Sequence, residues 1–276
     1  MGEMSRKTPL KGKYKGIVAI DMDGTLLRPD ETVSPFSVSV LREIQSRGYL
    51  VLLCSGRPYR ALKSTYEAIG CEGPCVCYNG GLVFDPSNPD FPRREYRFPK
   101  EELEEVYQKA RPYAGVIEAE DGETLFATSR DEFLDVYFPT RGIETVYGEF
   151  PVLPSDPYTF LFSYKPKDKE TLREMFSGHA SFGFRFWRDR PYAELFSPKA
   201  DKAQALLYVM EKVGVGKEDV YAFGDGSNDK CMLRVSGHPY AMKNAKPDLL
   251  EGEFPITKKG NSEDGVALTL QEIFRL

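Results

Sequence analysis

Short, wholly apolar runs recur along the chain, and several of them stop in a polar cluster. The first, Ile17 to Ile20, is rich in β-branched residues and gives way to Asp21, Asp23 and Gly24. An unbroken apolar run of that length predicts a strand buried on both faces. Ser34-Pro35 predicts a helix start, with Ser as the cap and Pro in the first turn. Phe36, Val40, Leu41 and Ile44 share one face of that helix, and Gly48 stops it. A second buried strand is predicted over 49–54, ending in Ser55-Gly56-Arg57-Pro58. A helix over 58–69 turns Leu62, Tyr66 and Ile69 inward, and a short strand follows over 75–78. That alternation predicts α/β architecture, a doubly wound parallel sheet.

The texture changes after Asn79-Gly80-Gly81. Aromatics, prolines and short alternating segments fill the next hundred residues. Segments 115–120 and 123–129 predict a hairpin turning at Asp121-Gly122. Helices are expected over 100–111, 130–138 and 167–176, and strands over 158–164, 182–188 and 192–196. Such a mixture predicts a separate α+β unit inserted into the first. The expected division is a core of 1–83 with 192–276 and an inserted cap of 84–191. The α/β pattern then returns, with a helix over 201–213 stopped by Gly214 and a strand over 220–223. That strand ends in Gly224-Asp225-Gly226-Ser227-Asn228-Asp229. A helix to Val235, a strand over 240–242 and a last helix over 264–274 complete the pattern.

Composition narrows the setting. At 276 residues, with 41% hydrophobic and 29% charged, the chain has material for one large or two ordinary domains. No apolar run approaches about 18 residues, so no membrane-spanning helix is expected. The opening Met1-Gly2-Glu3-Met4-Ser5-Arg6-Lys7 lacks the apolar stretch of a secretory signal, and Arg6 breaks the myristoylation pattern. Five cysteines at irregular spacing do not make a disulfide framework, and a reducing cytoplasm is the expected location. Cys71, Cys75 and Cys77 have no second ligand pair, so zinc is not expected there. A net charge of -5 without a basic block argues against nucleic acid as a partner.

Three predicted parallel strands end in Asp21/Asp23, Ser55/Arg57 and Asp225/Asn228/Asp229. Ligands of open α/β sheets bind outside the carboxyl ends of the strands, so residues 200 apart can share one site. Carboxylates gathered there repel one another unless a hard cation neutralises them, and Mg²⁺ suits a few carboxylates plus substrate phosphate. Gly224-Asp225-Gly226 is not a dinucleotide fingerprint, because Asp229 stands where the third glycine belongs. Nor is the first cluster an EF-hand, since Leu26 and Thr32 occupy its sixth and twelfth positions.

The stretch Asp21-Met22-Asp23-Gly24-Thr25-Leu26-Leu27 resembles the first motif of the haloacid dehalogenase-like phosphatases. Cys54-Ser55-Gly56-Arg57-Pro58 resembles the second, Lys202-Ala203-Gln204-Ala205-Leu206 the third, and Gly224 to Asp229 the fourth. Ala241-Met242-Lys243-Asn244-Ala245 and Glu263-Asp264-Gly265-Val266-Ala267 resemble stretches typical of the Cof-type branch, whose cap lies between motifs two and three. Two positions depart from the pattern, Cys54 for Ala and Ala203 for Gly, and neither removes a functional group.

The resemblance implies a Mg²⁺-dependent phosphatase acting on small phosphorylated metabolites. Asp21 would attack phosphorus, Asp23 would act as acid and then base, and Ser55 and Lys202 would hold the transferring group. Gly24, Thr25, Gly56, Arg57, Asn79 and Asn228 would complete the phosphate site. Asp21, Asp23 through its main-chain carbonyl, Asp225 and Asp229 would hold or support the metal. Lys199 is the rival phosphate-binding lysine, and Asn79 could equally be a turn residue. In the cap, Glu118, Tyr137 and Arg188 are candidate sugar contacts or plain strand and surface residues.

Three other functions fit parts of this pattern. Cys54 and Arg60 have the spacing of cysteine-dependent phosphatases, although Cys54 closes an apolar run. A sugar phosphomutase would use the same acids. A non-catalytic phosphosugar sensor would tolerate the loss of an acid, yet all four aspartates are present.

Overall fold

A computed structural model describes residues 11–150, 152–187 and 190–276. The strands, in chain order, are β1 (Gly16–Asp21), β2 (Tyr49–Cys54), β3 (Cys75–Cys77), β4 (Leu82–Phe84) and β5 (Arg94–Glu95). Then follow β6 (Ala114–Glu120), β7 (Thr124–Ala127), β8 (Glu144–Tyr147), β9 (Thr159–Tyr164), β10 (Gly183–Phe186), β11 (Tyr192–Phe196), β12 (Val220–Gly224) and β13 (His238–Ala241). The described residues form two compact units, one of those up to Gly56 with 62–94 and 201–276, the other of 57–61 with those between Glu95 and Ala200.

The first unit is built on a seven-stranded sheet in the order β13-β12-β1-β2-β3-β4-β5. Strand β1 is interior to it, buried along its whole length and parallel to both β12 and β2. Helices Pro35–Ser46, Lys202–Val213 and Gly265–Phe274 belong to this unit. The first begins as the sequence predicts, with the Ser34 hydroxyl accepting the Ser37 amide proton at 2.9 Å. The order β12-β1-β2 reverses direction of winding at β1, so β1 lies at the switch point where such sheets bind ligands.

The second unit has a six-stranded sheet in the order β10-β11-β9-β6-β7-β8, antiparallel apart from the β7–β8 pair. Its core joins Ile117, Ala119, Phe126, Phe160, Phe162 and Leu195 to Leu103, Val106, Leu172 and Phe176 from the helices. The alternation of β6 and β9 puts those apolar side chains on one face.

The expected α/β core with an α+β insertion is therefore what the chain forms, but its seams move. Strands β4 and β5 extend the first sheet, carrying that unit to Arg94 rather than to 83. Strand β11 pairs with β9 and β10, so 192–200 belong to the inserted unit rather than to the core. Apolar alternation in β11 satisfies either sheet, and only its pairing partners decide. The helix expected over 130–138 is also shorter, Leu134–Tyr137. The Asp131 carboxylate accepts the Phe133 and Leu134 amides and delays its start. Arg188, a candidate sugar contact, lies outside the described residues.

Candidate active site

Strand register brings the motifs to one edge. Asp21 is the last residue of β1 and lies opposite Cys54, the last of β2, while Gly224 ends β12 beside them. The chain then turns at Gly24, whose φ of +76° suits a residue without a side chain. A Cβ there would lie 2.5 Å from an Asp225 oxygen, so the glycine also lets the two acidic loops meet. Gly224 does the same for Asp229, which would sit 2.4 Å from an added Cβ.

Lys202 opens its helix from the far end of the sequence, behind an Asp201 cap that accepts the Gln204 amide proton. Its side chain is buried, with the residue 1% exposed. The Nζ donates to Asp21 Oδ1 at 2.5 Å and to Asp229 Oδ1 at 2.6 Å. Lys199, by contrast, is exposed. Asp229 uses its other oxygen to accept the Asp225 and Gly226 amide protons at 3.1 and 2.9 Å. Asp21, Asp225 and Asp229 each offer an oxygen within 4.8 Å of the others. The Thr25 hydroxyl makes a long 3.4 Å contact to Asp225.

Electrostatics follow from this crowding. Burial first, then Asp229, push the Asp21 carboxyl well above the ordinary carboxylate range, with Lys202 pulling the other way. Asp225 is pushed up to about 6, again by burial and then by Asp229. Burial pulls the Lys202 ammonium down, but Asp21 and Asp229 outweigh it and hold it above the ordinary lysine value. Three carboxylates crowd around the Lys202 ammonium, so negative charge exceeds positive even with Lys246 acting on Asp225. That donor set, hard oxygens in excess of cationic charge, fits a divalent cation such as Mg²⁺.

Ser55 is buried just past β2, and its carbonyl accepts the Asn79 amide proton at 2.8 Å. Asn79 lies in the turn that joins antiparallel β3 and β4, as the turn reading expects. It sits in left-handed conformation, φ 53°, and its side-chain oxygen accepts from Asn228 at 3.0 Å. Gly56 packs against the Asn79 amide. Asp23 is half-buried, two residues beyond Asp21. Arg57 groups with the inserted unit instead, donating to the Val136 carbonyl and lying 4.7 Å from the Tyr137 ring.

Two residues were not assigned a role from sequence. The Asn244 amide donates to the Gly24 carbonyl at 2.7 Å, tying down the loop that carries Asp23. Lys246 contributes positive charge at Asp225. The Cof-type stretch around Asn244 pointed to the place but not to the function. The thiol alternative loses its footing here. Cys54 is buried, burial pushes its thiol far up, and Arg60 is held on both oxygens of Glu120. Among the described residues Cys71, Cys75 and Cys77 form no metal-binding group.

Residues 18–270 match the family described as haloacid dehalogenase-like hydrolase. The chain belongs to that family. It is a hydrolase of the Cof-type branch, of the phosphatase kind. A 5-amino-6-(5-phospho-D-ribitylamino)uracil phosphatase of Bacillus subtilis (strain 168) is 29% identical over 265 residues, 94% of this chain and 98% of that protein. A phosphoglycolate phosphatase of Methanopyrus kandleri is 26% identical, covering 93% and 96%. The crystal structure of a haloacid dehalogenase-like hydrolase from Bacteroides thetaiotaomicron superposes with a TM-score of 0.81 at 25% identity, covering 95% of this chain and all of that one. No described helix is long and apolar enough to cross a membrane.

The two metal-side acids are not equivalent in this geometry. Both oxygens of Asp229 are engaged, by Lys202 and by two backbone amides. Asp225→Ala should therefore raise the Mg²⁺ concentration for half-maximal rate more than Asp229→Ala does, by about tenfold against a few-fold. Rates measured over a Mg²⁺ titration test this, and equal shifts would refute the ordering.

Proposed function

We propose that the chain is a Mg²⁺-dependent phosphatase that hydrolyses small phosphomonoesters, sugar phosphates or similar metabolites, through an aspartyl-phosphate on Asp21. The observation that carries this reading is the Lys202 ammonium held between Asp21 and Asp229, with Asp225 in the same cluster at the end of β1. An Asp21 oxygen attacks phosphorus while the bond from phosphorus to the leaving oxygen breaks, and Asp23 gives its proton to that oxygen. Water then loses a proton to Asp23 and attacks the same phosphorus, releasing inorganic phosphate and restoring Asp21. Lys202 balances charge on the transferring group, while Ser55, Asn228 and the loop amides at Gly24, Thr25 and Gly56 orient its oxygens. Mg²⁺, held by Asp21, the Asp23 carbonyl and Asp225 with Asp229 in support, would supply electrophilic stabilisation of the phosphoryl oxygens. Asn79 positions Asn228 through their mutual hydrogen bond.

The inserted unit is the substrate-reading part in this proposal, and its size suits a cap rather than a loop. Relatives that share the fold are named for different phosphate esters, which supports specificity being set outside the motifs. The cytoplasm is the proposed location.

A panel of phosphorylated metabolites with Mg²⁺ or chelator tests the reading. We expect free phosphate from small esters, abolished by chelation, and kcat/KM for phosphoproteins at least about 10²-fold lower than for the best metabolite. A phosphoprotein preferred over every metabolite would defeat the cap argument. Isomerised phosphate from a hexose 1-phosphate, instead of free sugar, would make the chain a mutase.

A further inference from the structure

The acidic loops that follow β1 and β12 lie closer together than their charges favour. A Cβ on Gly24 would fall 2.5 Å from an Asp225 oxygen, and Asp23 and Asp225 both add negative charge beside Asp21. Like charges so placed push the loops apart. The direct link between them, from the Thr25 hydroxyl to Asp225, is long at 3.4 Å.

A third segment, residues 242–246 just past β13, bonds to both loops. On the β12 side the bonds are main-chain: the Met242 amide donates to the Gly224 carbonyl and the Lys246 amide to the Asp225 carbonyl, each at 3.0 Å. On the β1 side the bond belongs to a side chain, the Asn244 amide on the Gly24 carbonyl at 2.7 Å. The Ala245 amide closes the segment on the Met242 carbonyl at 2.8 Å, so its two sets of contacts keep a fixed separation. Backbone bonds survive any non-proline substitution at 244, whereas the hold on Gly24 goes with one side chain.

Asn244 could be an ordinary exposed turn residue, but its surroundings fix it at both ends. Its Oδ1 accepts the Asn261 amide proton at 2.9 Å, and a Cβ on Gly260 would crowd that oxygen at 2.9 Å. Turning the side-chain amide over would set donor against donor and acceptor against acceptor. The Asn261 side chain in turn donates to the Leu27 carbonyl at 2.7 Å, and the Leu27 amide reaches back to the Met22 carbonyl at 2.9 Å. Gly24 and Leu27 are thus held by one network, and Asp23 sits immediately before the Gly24 anchor.

We propose that Asn244 is a positioning residue for Asp23, fixing the peptide that follows it at a set distance from the Asp225 loop. This rests on the phosphatase reading, in which Asp23 gives its proton to the leaving oxygen. Proton transfer needs the acid within hydrogen-bond reach of that oxygen, so a loop that drifts loses it first. Asp21 keeps its place, because it ends β1 and bonds Lys202. Loss of Asn244 therefore falls on esters whose leaving oxygen needs a proton and spares those whose leaving group departs as a stable anion.

Phenyl, 4-nitrophenyl and 2,4-dinitrophenyl phosphate, with leaving oxygens of decreasing basicity, test this at one pH and saturating Mg²⁺. Asn244→Ala removes both side-chain bonds. Asn244→Asp keeps the shape and the acceptor for Asn261 but loses the donor to Gly24. In both variants we expect kcat to fall about 10²-fold on phenyl phosphate and to stay within about threefold on 2,4-dinitrophenyl phosphate, with KM changed less than about twofold. Both should fold, since Asn244 is exposed and the main-chain bonds of 242 and 246 remain. Amide hydrogen exchange over 22–28, measured in chelator, needs no turnover and should be about tenfold faster in each variant. Equal losses on all three esters, no loss on phenyl phosphate, or unchanged exchange over 22–28 would overturn the role. A native chain that hydrolysed none of the three, with the exchange still faster in the variants, would defeat the phosphatase reading and reduce Asn244 to a loop clamp.

Discussion

Asp21→Asn should abolish turnover, with a loss of at least about 10⁴-fold in kcat. An amide is too poor a nucleophile to form the acyl phosphate, and no other described carboxylate both ends β1 and bonds Lys202. The variant should remain folded, because Lys202 keeps its 2.6 Å bond to Asp229 and the cluster sheds one of its crowded charges. Asp23→Asn is the informative comparison. It should also lose most activity on alkyl phosphates, which need a proton on the leaving oxygen, yet still form phospho-enzyme from an aryl phosphate that leaves without one. Rapid acid quench followed by mass measurement of the protein distinguishes the two. Substantial activity of Asp21→Asn with the amide intact would remove the nucleophile assignment.

Lys202→Met should be nearly as damaging to catalysis, about 10³-fold, and far more damaging to stability. The methionine keeps the length and removes the cation that bonds both Asp21 and Asp229. Breaking a buried pair costs about 3–5 kcal/mol, because the partner charges stay behind. Three carboxylates within 4.8 Å would then face each other directly. Raising pH should worsen the defect. Asp225 already has its folded-state carboxyl raised to about 6, above its usual 3.8, so the folded state holds a proton that the unfolded chain has released. Stability is therefore lost as pH rises through that window, and further where Lys202 no longer opposes Asp21. Mg²⁺ should restore part of the loss at neutral pH by neutralising the same charges. Denaturant midpoints at pH 5 and pH 8, with chelator and with Mg²⁺, measure each of these effects. A midpoint unchanged from the native chain at pH 8 in chelator would show that Lys202 does not carry the charge balance described here.

Local pattern was sufficient for much of this molecule. The apolar run before Asp21, the Ser34-Pro35 start and the Asp121-Gly122 turn each express a preference that neighbours in sequence impose, and each element forms where that preference puts it. Buried parallel strands also made the location of the site legible, since their carboxyl ends must share one edge. Motif order supplied the rest of the family reading, and the helical spacing that follows Lys202 supplied the preference for it over Lys199.

What sequence could not decide was anything that depends on which distant segment arrives as a neighbour. The alternation of β11 suits two sheets equally, and only its hydrogen bonds to β9 and β10 assign it to the inserted unit. Asn244 is an ordinary polar residue until folding brings its amide to the Gly24 carbonyl, 220 positions away. Arg57 and Arg60 stand beside a phosphate motif in sequence, yet they bond to Val136 and Glu120 of the inserted unit. In sequence Glu118 is a candidate sugar contact or a plain strand residue, and the pattern does not choose. Only folding buries it near Asp131, Glu120 and Asp135 with one oxygen unpaired among the described residues, a property of the packed sheet rather than of the residue.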